Sequence, residues 1–271
     1  MKKLVFKKNI VDYLDAPTAT PASTRLTGGR RLHDPTTENS MPCITVITVV
    51  FNGGDQLKST IESVLALQRT DIEYVIVDGG SSDNTVDILR MYDSRLDYWV
   101  SEPDAGIYDA MNKGITLARG RFVYHLNIGD KLLAIPTQLS NDVPDDVACI
   151  AGQVRINHGK IHIPSIGFSL KLHNTLHHQG CFYRRNSQLR YDLTYRVFSD
   201  FDLNQRLVKA GQTVLICQDI VAIHDEGGIS HTTKRFSEVF QIIRKNEGVI
   251  WVALSYSYFK LRGLRHRLIG T

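Results

Sequence analysis

Between residues 101 and 130, SEPDAGIYDAMNKGITLARGRFVYHLNIGD, four carboxylates, two asparagines, a lysine and four glycines crowd around one helix-like and one strand-like stretch. Ile107, Ala110, Met111, Ile115 and Ala118 follow the 3.6-residue spacing of a helix lying on a core, so the polar residues collect elsewhere. Asp104 precedes that helix, Asp109, Asn112 and Lys113 run along its exposed side, and Asp130 follows the apolar run 122–126 after a short turn. Hard divalent cations prefer oxygen ligands and often share them with substrate phosphates, and Asn127-Ile-Gly-Asp130 offers such a ligand in Asp130. Asx-Gly is equally the chemistry of an ordinary turn. Asp109 and Lys113, four apart, read as a surface ion pair unless a site reaches them.

Three further constellations carry chemistry. In VDGGSSDNT (77–85), Asp78 ends a strand, where a carboxylate can accept a hydrogen bond from a nucleobase or ribose. Gly79 and Gly80 turn the chain, and Ser82 or Asp83 is placed to cap the next helix. Neither G-x-G-x-x-G nor G-x-x-x-x-G-K-[ST] occurs there, so dinucleotide and P-loop readings lose their main support. Ser199-Asp200-Phe201-Asp202 opens a helix, with Ser199 as N-cap and Asp202 as a capping-box analogue. Capping explains Asp200 less well, and a carboxylate at a helix start facing a cleft can serve as general base. His177-His178-Gln179-Gly180 is compact and polar. Two adjacent histidines need a third ligand to make a metal site, and Asp225, His224 and His231 are the choices.

The elements that must position these residues alternate. A strand at 44–51, a helix at 55–67, a strand at 73–78, a helix at 83–92, a strand at 97–102, the helix described above and a strand at 121–126 imply βαβ units. The expected fold is α/β, with a mainly parallel central sheet flanked by helices. Ligands bind such sheets beyond the carboxyl ends of the strands, where loops 51–54, 78–83, 102–106 and 127–130 should gather. Over 150–230 the pattern predicts shorter strands and one helix near 200–210.

The flanks differ in character. Residues 1–42 include a Pro-, Thr-, Ser- and Gly-rich stretch and read as a poorly ordered extension, with the main domain over 43–232. Residues 233–271 read as a basic amphipathic helical region that either lies in a membrane interface or packs on the domain. Its apolar run, 248–259, is too short to span a bilayer. The net charge of +4 divides into basic ends and an acidic middle, which argues against nucleic acid and suits a metal-binding centre with a tail facing an anionic surface. The four cysteines are far apart, the N-terminus lacks a continuous apolar run, and a cytoplasmic protein is expected.

In order along the chain, Phe51-Asn52, VDGGSSDNT, SEPDAGIYDAMNKG, LNIGD, HQG-x-F-Y and SD-x-D-L resemble the family 2 glycosyltransferases with a GT-A fold. The resemblance is nearest to bacterial enzymes that assemble colanic acid, capsule or O-antigen repeat units. It covers roughly 43–232 and is most specific from Ser101 to Lys113. It implies an inverting transfer of a sugar from a nucleotide sugar to a glycan or lipid-linked acceptor, with Mn²⁺ or Mg²⁺ as cofactor, and the basic tail adds the expectation of a peripheral place at the inner membrane face. Asn52, Asp78, Asp104, Asp109, Lys113, Asn127, His178 and Gln179 would then serve the nucleotide sugar. Asp130 would be the metal-binding acid of the family's D-x-D, whose first acid is replaced here by Asn127, and His224 a further ligand. Asp200 would be the base that deprotonates the acceptor hydroxyl. The competing expectations are a non-catalytic nucleotide-sugar-binding or scaffold protein and a nucleotidyltransferase, which would want a Gly- and Arg-rich phosphate loop.

Overall fold

The computed structural model describes residues 25–33, 41–140, 142–156, 159–186, 188–224 and 236–269. Its elements run β1 (Leu26–Gly28), β2 (Ile44–Val50), α1 (Gly54–Leu65), β3 (Ile72–Asp78), α2 (Thr85–Met91), β4 (Tyr98–Ser101), α3 (Ile107–Leu117), β5 (Phe122–His125) and β6 (Lys131–Leu132). They continue as β7 (Val147–Ile156), β8 (Ile161–His162), α4 (Phe168–Leu172), β9 (Cys181–Arg184), α5 (Ser199–Lys209), β10 (Thr213–His224), α6 (Ser237–Asn246) and α7 (Val249–Ile269).

The unbroken apolar run ITVITVV makes β2, whose seven residues are all buried, as a strand covered on both faces requires. Among the described residues the strands form one sheet in the order β1-β4-β3-β2-β5-β9-β7-β10-β6, with β8 on β7. β2 pairs in parallel with β3 and β5, and β3 with β4, which is the expected βαβ half. β9 then pairs antiparallel with both β5 and β7. One apolar layer, with Leu57, Ile61, Ile88 and Leu89, joins α1 and α2 to the sheet. The opposite layer joins it to α3, α5 and α6 through Tyr108, Met111, Phe201, Leu207 and Ile242. Gly114 lets α3 lie directly on β2, because a Cβ there would come 2.5 Å from Ile47 Cγ2.

Two expectations need correction. Residues 25–33, placed within the disordered extension, are ordered: β1 pairs antiparallel with β4, and the buried Arg31 guanidinium pairs with Glu73 and donates to Leu117 O at 2.8 Å. The glycines that suggested a linker serve close approach, since a Cβ on Gly29 (φ 104°) would sit 2.7 Å from Asp97 O. Two strands of the second half are longer than expected. β7 and β10 have 10 and 12 residues and pair in parallel, with register shifts along β10 that break the period-two pattern. The C-terminal region is packed in its first part: α6 buries Val239, Ile242 and Ile243, and Glu238 accepts hydrogen bonds from the backbone N–H groups of Arg196, Val197 and Phe198 at 3.0–3.2 Å.

Candidate active site

Three of the four loops predicted to meet beyond the strand ends are tied together, and the fourth adjoins them through Ile128, whose Cδ1 lies 3.4 Å from where a Cβ on Gly53 would be. Asn52, in the left-handed region at φ 50°, donates its N–H to Ser81 Oγ at 2.7 Å and accepts from Ser82 N at 2.9 Å through Oδ1. This stitches the loop after β2 to the loop after β3. Asp78 is fully buried; its carboxylate accepts from Ser101 Oγ at 2.6 Å, from Ser81 N at 3.1 Å and from Ser81 Oγ. Most of its acceptor capacity is therefore committed to holding the loop. Burial raises its pKa above the ordinary carboxylate value, against the pull of those donors. Asp104 packs on Gly79, where a Cβ would come 2.5 Å from its Oδ2, and its Oδ1 accepts from Gly106 N at 2.8 Å.

The loop after β5 forms a second corner. Gly129 (φ 85°) closes a turn in which Asp130 N donates to Asn127 O at 3.2 Å. Asp130 is buried, and both its oxygens lie 3.2 Å from His224 Nδ1 at the end of β10. The His177 ring centroid stands 4.8 Å from that of His224, and His178 stacks on His177 at 5.0 Å. Asn127 Nδ2 donates to His178 Nε2 at 2.9 Å, and Gln179 Nε2 lies 3.2 Å from the same atom. These amide donors suit a neutral imidazole, and burial, with His224 and His125 nearby, pushes His178 down to about 3. Asp225 and His231 lie outside the described residues.

Asp200 makes the third corner, in the first turn of α5. Its carboxylate accepts from Asn174 Nδ2 at 2.8 Å and from Tyr108 OH at 3.3 Å, while that hydroxyl also reaches Val197 O at 2.6 Å. Burial is the largest influence and raises its pKa to about 6, in spite of the helix terminus and the hydrogen bonds. Ser199 is not the N-cap that was expected. Phe198 holds that position, and the Ser199 hydroxyl donates to Asp192 O at 3.0 Å. Asp202, fully buried, pairs with Arg206 at 2.7 Å and with Lys245 at 3.1 Å, as a structural acid.

A family model described as glycosyl transferase family 2 matches residues 45–127. A PGL/p-HBAD biosynthesis glycosyltransferase of Mycobacterium bovis (strain BCG / Pasteur 1173P2) is 30% identical over 211 residues, covering 70% of this chain and 80% of the relative. The chain belongs to glycosyl transferase family 2. An uncharacterized glycosyltransferase of Mycobacterium tuberculosis (strain CDC 1551 / Oshkosh) is 44% identical over 93 residues, so the match spans 34% of this chain and 36% of that relative. Among solved structures, S. aureus TarS 1–349 in complex with UDP-GlcNAc has a TM-score of 0.56 at 14% identity, covering 75% of this chain and 66% of that one. The longer TarS structure gives 0.56 at 15%, over 74% and 39%. That likeness is one of fold, the GT-A fold.

For a family 2 chain the arrangement is informative in what it gathers and in what it leaves aside. Asn52, Asp78 and Asp104 share one loop cluster, and Asn127, Asp130, His178, Gln179 and His224 share another. Lys113 is spent as a brace: its ammonium contacts Pro103 O at 2.8 Å, Glu102 at 3.2 Å and Asp109 at 3.6 Å, and Asp109 accepts from Ala105 N at 3.0 Å. Sequence reasoning missed Tyr108 and Asn174, which hold Asp200, and His125. The only signal for Tyr108 was a phenol in the first turn of a helix preceded by Asp104.

Whether these residues suit a divalent cation can be tested on their chemistry. Asp130 and His224 bring a carboxylate and an imidazole together, and Asn127 Oδ1 is buried without a hydrogen-bond partner. Oxygen and imidazole donors suit Mn²⁺, and substrate phosphates ordinarily complete such a shell. Among the described residues no group of three or more His, Cys, Asp or Glu is arranged to hold a metal. The donors among the described residues therefore fit an ion whose shell a substrate would complete.

Proposed function

We propose that this chain is an inverting glycosyltransferase that moves a sugar from a nucleoside-diphosphate sugar to a hydroxyl of a glycan or lipid-linked acceptor in surface-polysaccharide assembly. The observation that carries this reading is Asp200, a buried carboxylate at a helix start held by the neutral Asn174 and Tyr108 and raised to about 6. A base of that strength is ionised at neutral pH and accepts a proton readily. As the acceptor oxygen bonds to the anomeric carbon from one face, the bond to the nucleoside diphosphate breaks on the other, and the acceptor proton passes to Asp200. One base suffices for a single displacement, which inverts the anomeric centre.

Asp130 and His224, with Asn127 Oδ1, would hold Mn²⁺ or Mg²⁺, which when bound supplies positive charge against the departing diphosphate. Asn52, Asp78 and Asp104 shape the nucleotide side: Asp78 fixes the loop and Asp104 offers the more accessible carboxylate. The test is to assay transfer and donor hydrolysis with Mn²⁺ across UDP-, GDP- and dTDP-sugars, for the parent and for Asp200→Asn. Donor-dependent turnover in the parent, lost in the variant, is the expected result. A binding protein would show donor-induced thermal stabilisation and no turnover in either form.

A further inference from the structure

Two exposed apolar segments, far apart in sequence, adjoin on the side of the molecule that holds Asp200. The loop before α4 exposes Ile163 (64%) and Ile166 (47%), the first residue of α4 is the exposed Phe168 (62%), and α7 exposes Ile250 (73%), Leu254 (43%) and Leu261 (67%). At i, i+4 and i+11, the three α7 residues fall on one stripe, beside the stripe that packs on the domain. Phe168 and Trp251 stand 5.0 Å apart, Ser255 Oγ donates to Leu172 O at 2.7 Å, and His173 stacks on Tyr258 at 4.8 Å. The next residue, Asn174, is the one that holds Asp200.

The charge of this face is one-sided. No Asp or Glu occurs between Asp146 and Asp192 or after Glu247, whereas Lys160, Lys171, Lys260 and Arg262 lie in these segments. Glu247 itself is paired with Lys171 at 3.2 Å. A chain whose remaining middle portion is acidic has thus kept, among the described residues, an apolar, cation-bordered face on which Glu247 is already paired. No helix among the described residues is long and apolar enough to cross a membrane, so a surface contact is the matching geometry.

We propose that the segment 163–168 and the outer stripe of α7 together dock on the surface of a bilayer containing anionic lipid, and so set the Asp200 end of the cleft at the membrane. The orientation rests on the reading of Asp200 as the base; the docking does not. A lipid-linked acceptor would then present its sugar to Asp200 without leaving the bilayer. Exposed apolar side chains supply insertion and the cations supply attraction to anionic headgroups.

The experiment is sedimentation of the full chain with phosphatidylcholine vesicles, with and without about one-third phosphatidylglycerol. Binding is expected only to the anionic vesicles. Ile163→Asn combined with Ile250→Asn should weaken it ~10-fold or more, and Lys260→Glu with Arg262→Glu by a similar factor, because each removes one of the two contributions. All four positions are exposed, and an unchanged melting temperature checks that the fold is kept. Equal binding of the parent and both variants, or no binding by the parent, overturns the proposal. So does a parent dimer that the apolar substitutions dissociate, since the face would then join two copies. Donor-induced stabilisation and transfer to a water-soluble acceptor do not use this face; their failure would count against the proposed function and leave vesicle binding to stand alone.

Discussion

Asp130, after the turn that follows β5, and Asp200, in the first turn of α5, are both buried carboxylates, yet their surroundings differ. Asp130 faces the imidazole of His224 from both oxygens, with His177 and His178 stacked beside it. Asp200 is held by the Asn174 amide, the Tyr108 phenol and backbone N–H groups of its own helix start, with no cation paired to it among the described residues. Burial without a counter-charge lifts Asp200 to about 6. The contrast teaches that one fold can bury one acid against imidazoles and another among neutral N–H and O–H donors, an arrangement that fits the proposed division between a cation site and a proton acceptor.

Asp200→Asn tests the proton-exchange half of the contrast and should have the largest effect. Transfer should fall by on the order of 10²–10⁴, the usual worth of a positioned base. The acid limb of kcat/KM in the parent should lie near 6. Stability should move the opposite way. A carboxyl raised above its unfolded pKa favours the fold at low pH and loses that contribution as pH rises through the folded value. Replacing it should raise the melting temperature at pH 7 by an amount worth roughly 1–3 kcal/mol, a gain that vanishes below about pH 4. A variant that loses activity and is also destabilised at neutral pH would mean that Asp200 is structural.

Asp130→Ala tests the other half. With Mn²⁺ present, donor affinity should fall by about 10- to 100-fold, the range seen when metal sites lose a supporting group. With chelator present, parent and variant should bind the donor alike. Identical titrations of the parent with and without chelator would break the metal assignment and leave the His224 pair as a fold contact only.

The two corners were not equally legible in the sequence. Asp78, Asp104 and Asp130 could be placed in the loops at one end of the sheet because continuous apolar strands such as ITVITVV announce themselves, and so locate the loops that follow them. His224 was a looser guess, because it closes a strand of 12 residues whose register shifts erase its periodicity. Asp200 was singled out, but its supports were not: Tyr108 and Asn174 lie 92 and 26 residues away, and only the packing of α3 and the loop after α4 brings them in. The same limit explains Ser199, whose hydroxyl found a tertiary acceptor in Asp192 O in place of its own helix. Ordered β1 was hidden by its glycines, which mark linkers and close backbone contacts alike.

His125 sits between the corners and sharpens the comparison. Its ring packs edge-on against Tyr191 at 5.3 Å, both its nitrogens are buried without a hydrogen-bond partner, and burial pushes its pKa down to about 3. A histidine depressed in the fold favours the folded state above its unfolded pKa and loses that contribution as pH falls from about 6.5 toward 3. His125→Phe should therefore stabilise the protein by about 1–3 kcal/mol at pH 7, since an unpaired buried polar group is removed. The gap to the parent should widen by about 1.4 kcal/mol per pH unit below 6.5. Denaturant midpoints measured at pH 7.5, 6 and 5 follow this directly, and a gap that stays constant would show that the imidazole is solvated or paired in the fold.

The smallest effect belongs to Lys113, which touches both the helix and the loop that carries Asp104. Its pair with Asp109 is partly exposed and spaced i, i+4, a geometry worth only about 0.3–0.5 kcal/mol. The contacts to Glu102 and Pro103 O are of the same partly exposed kind. Lys113→Met keeps the aliphatic stem and should cost less than about 1 kcal/mol. The informative readout is the donor KM. If Lys113 only braces the loop, KM should rise less than about threefold and the change should shrink with added salt, as screening weakens an exposed contact. A KM increase of tenfold or more that persists in salt would place the ammonium on the diphosphate, and the nucleotide side of the cleft would then use a cation where the Asp200 side uses none.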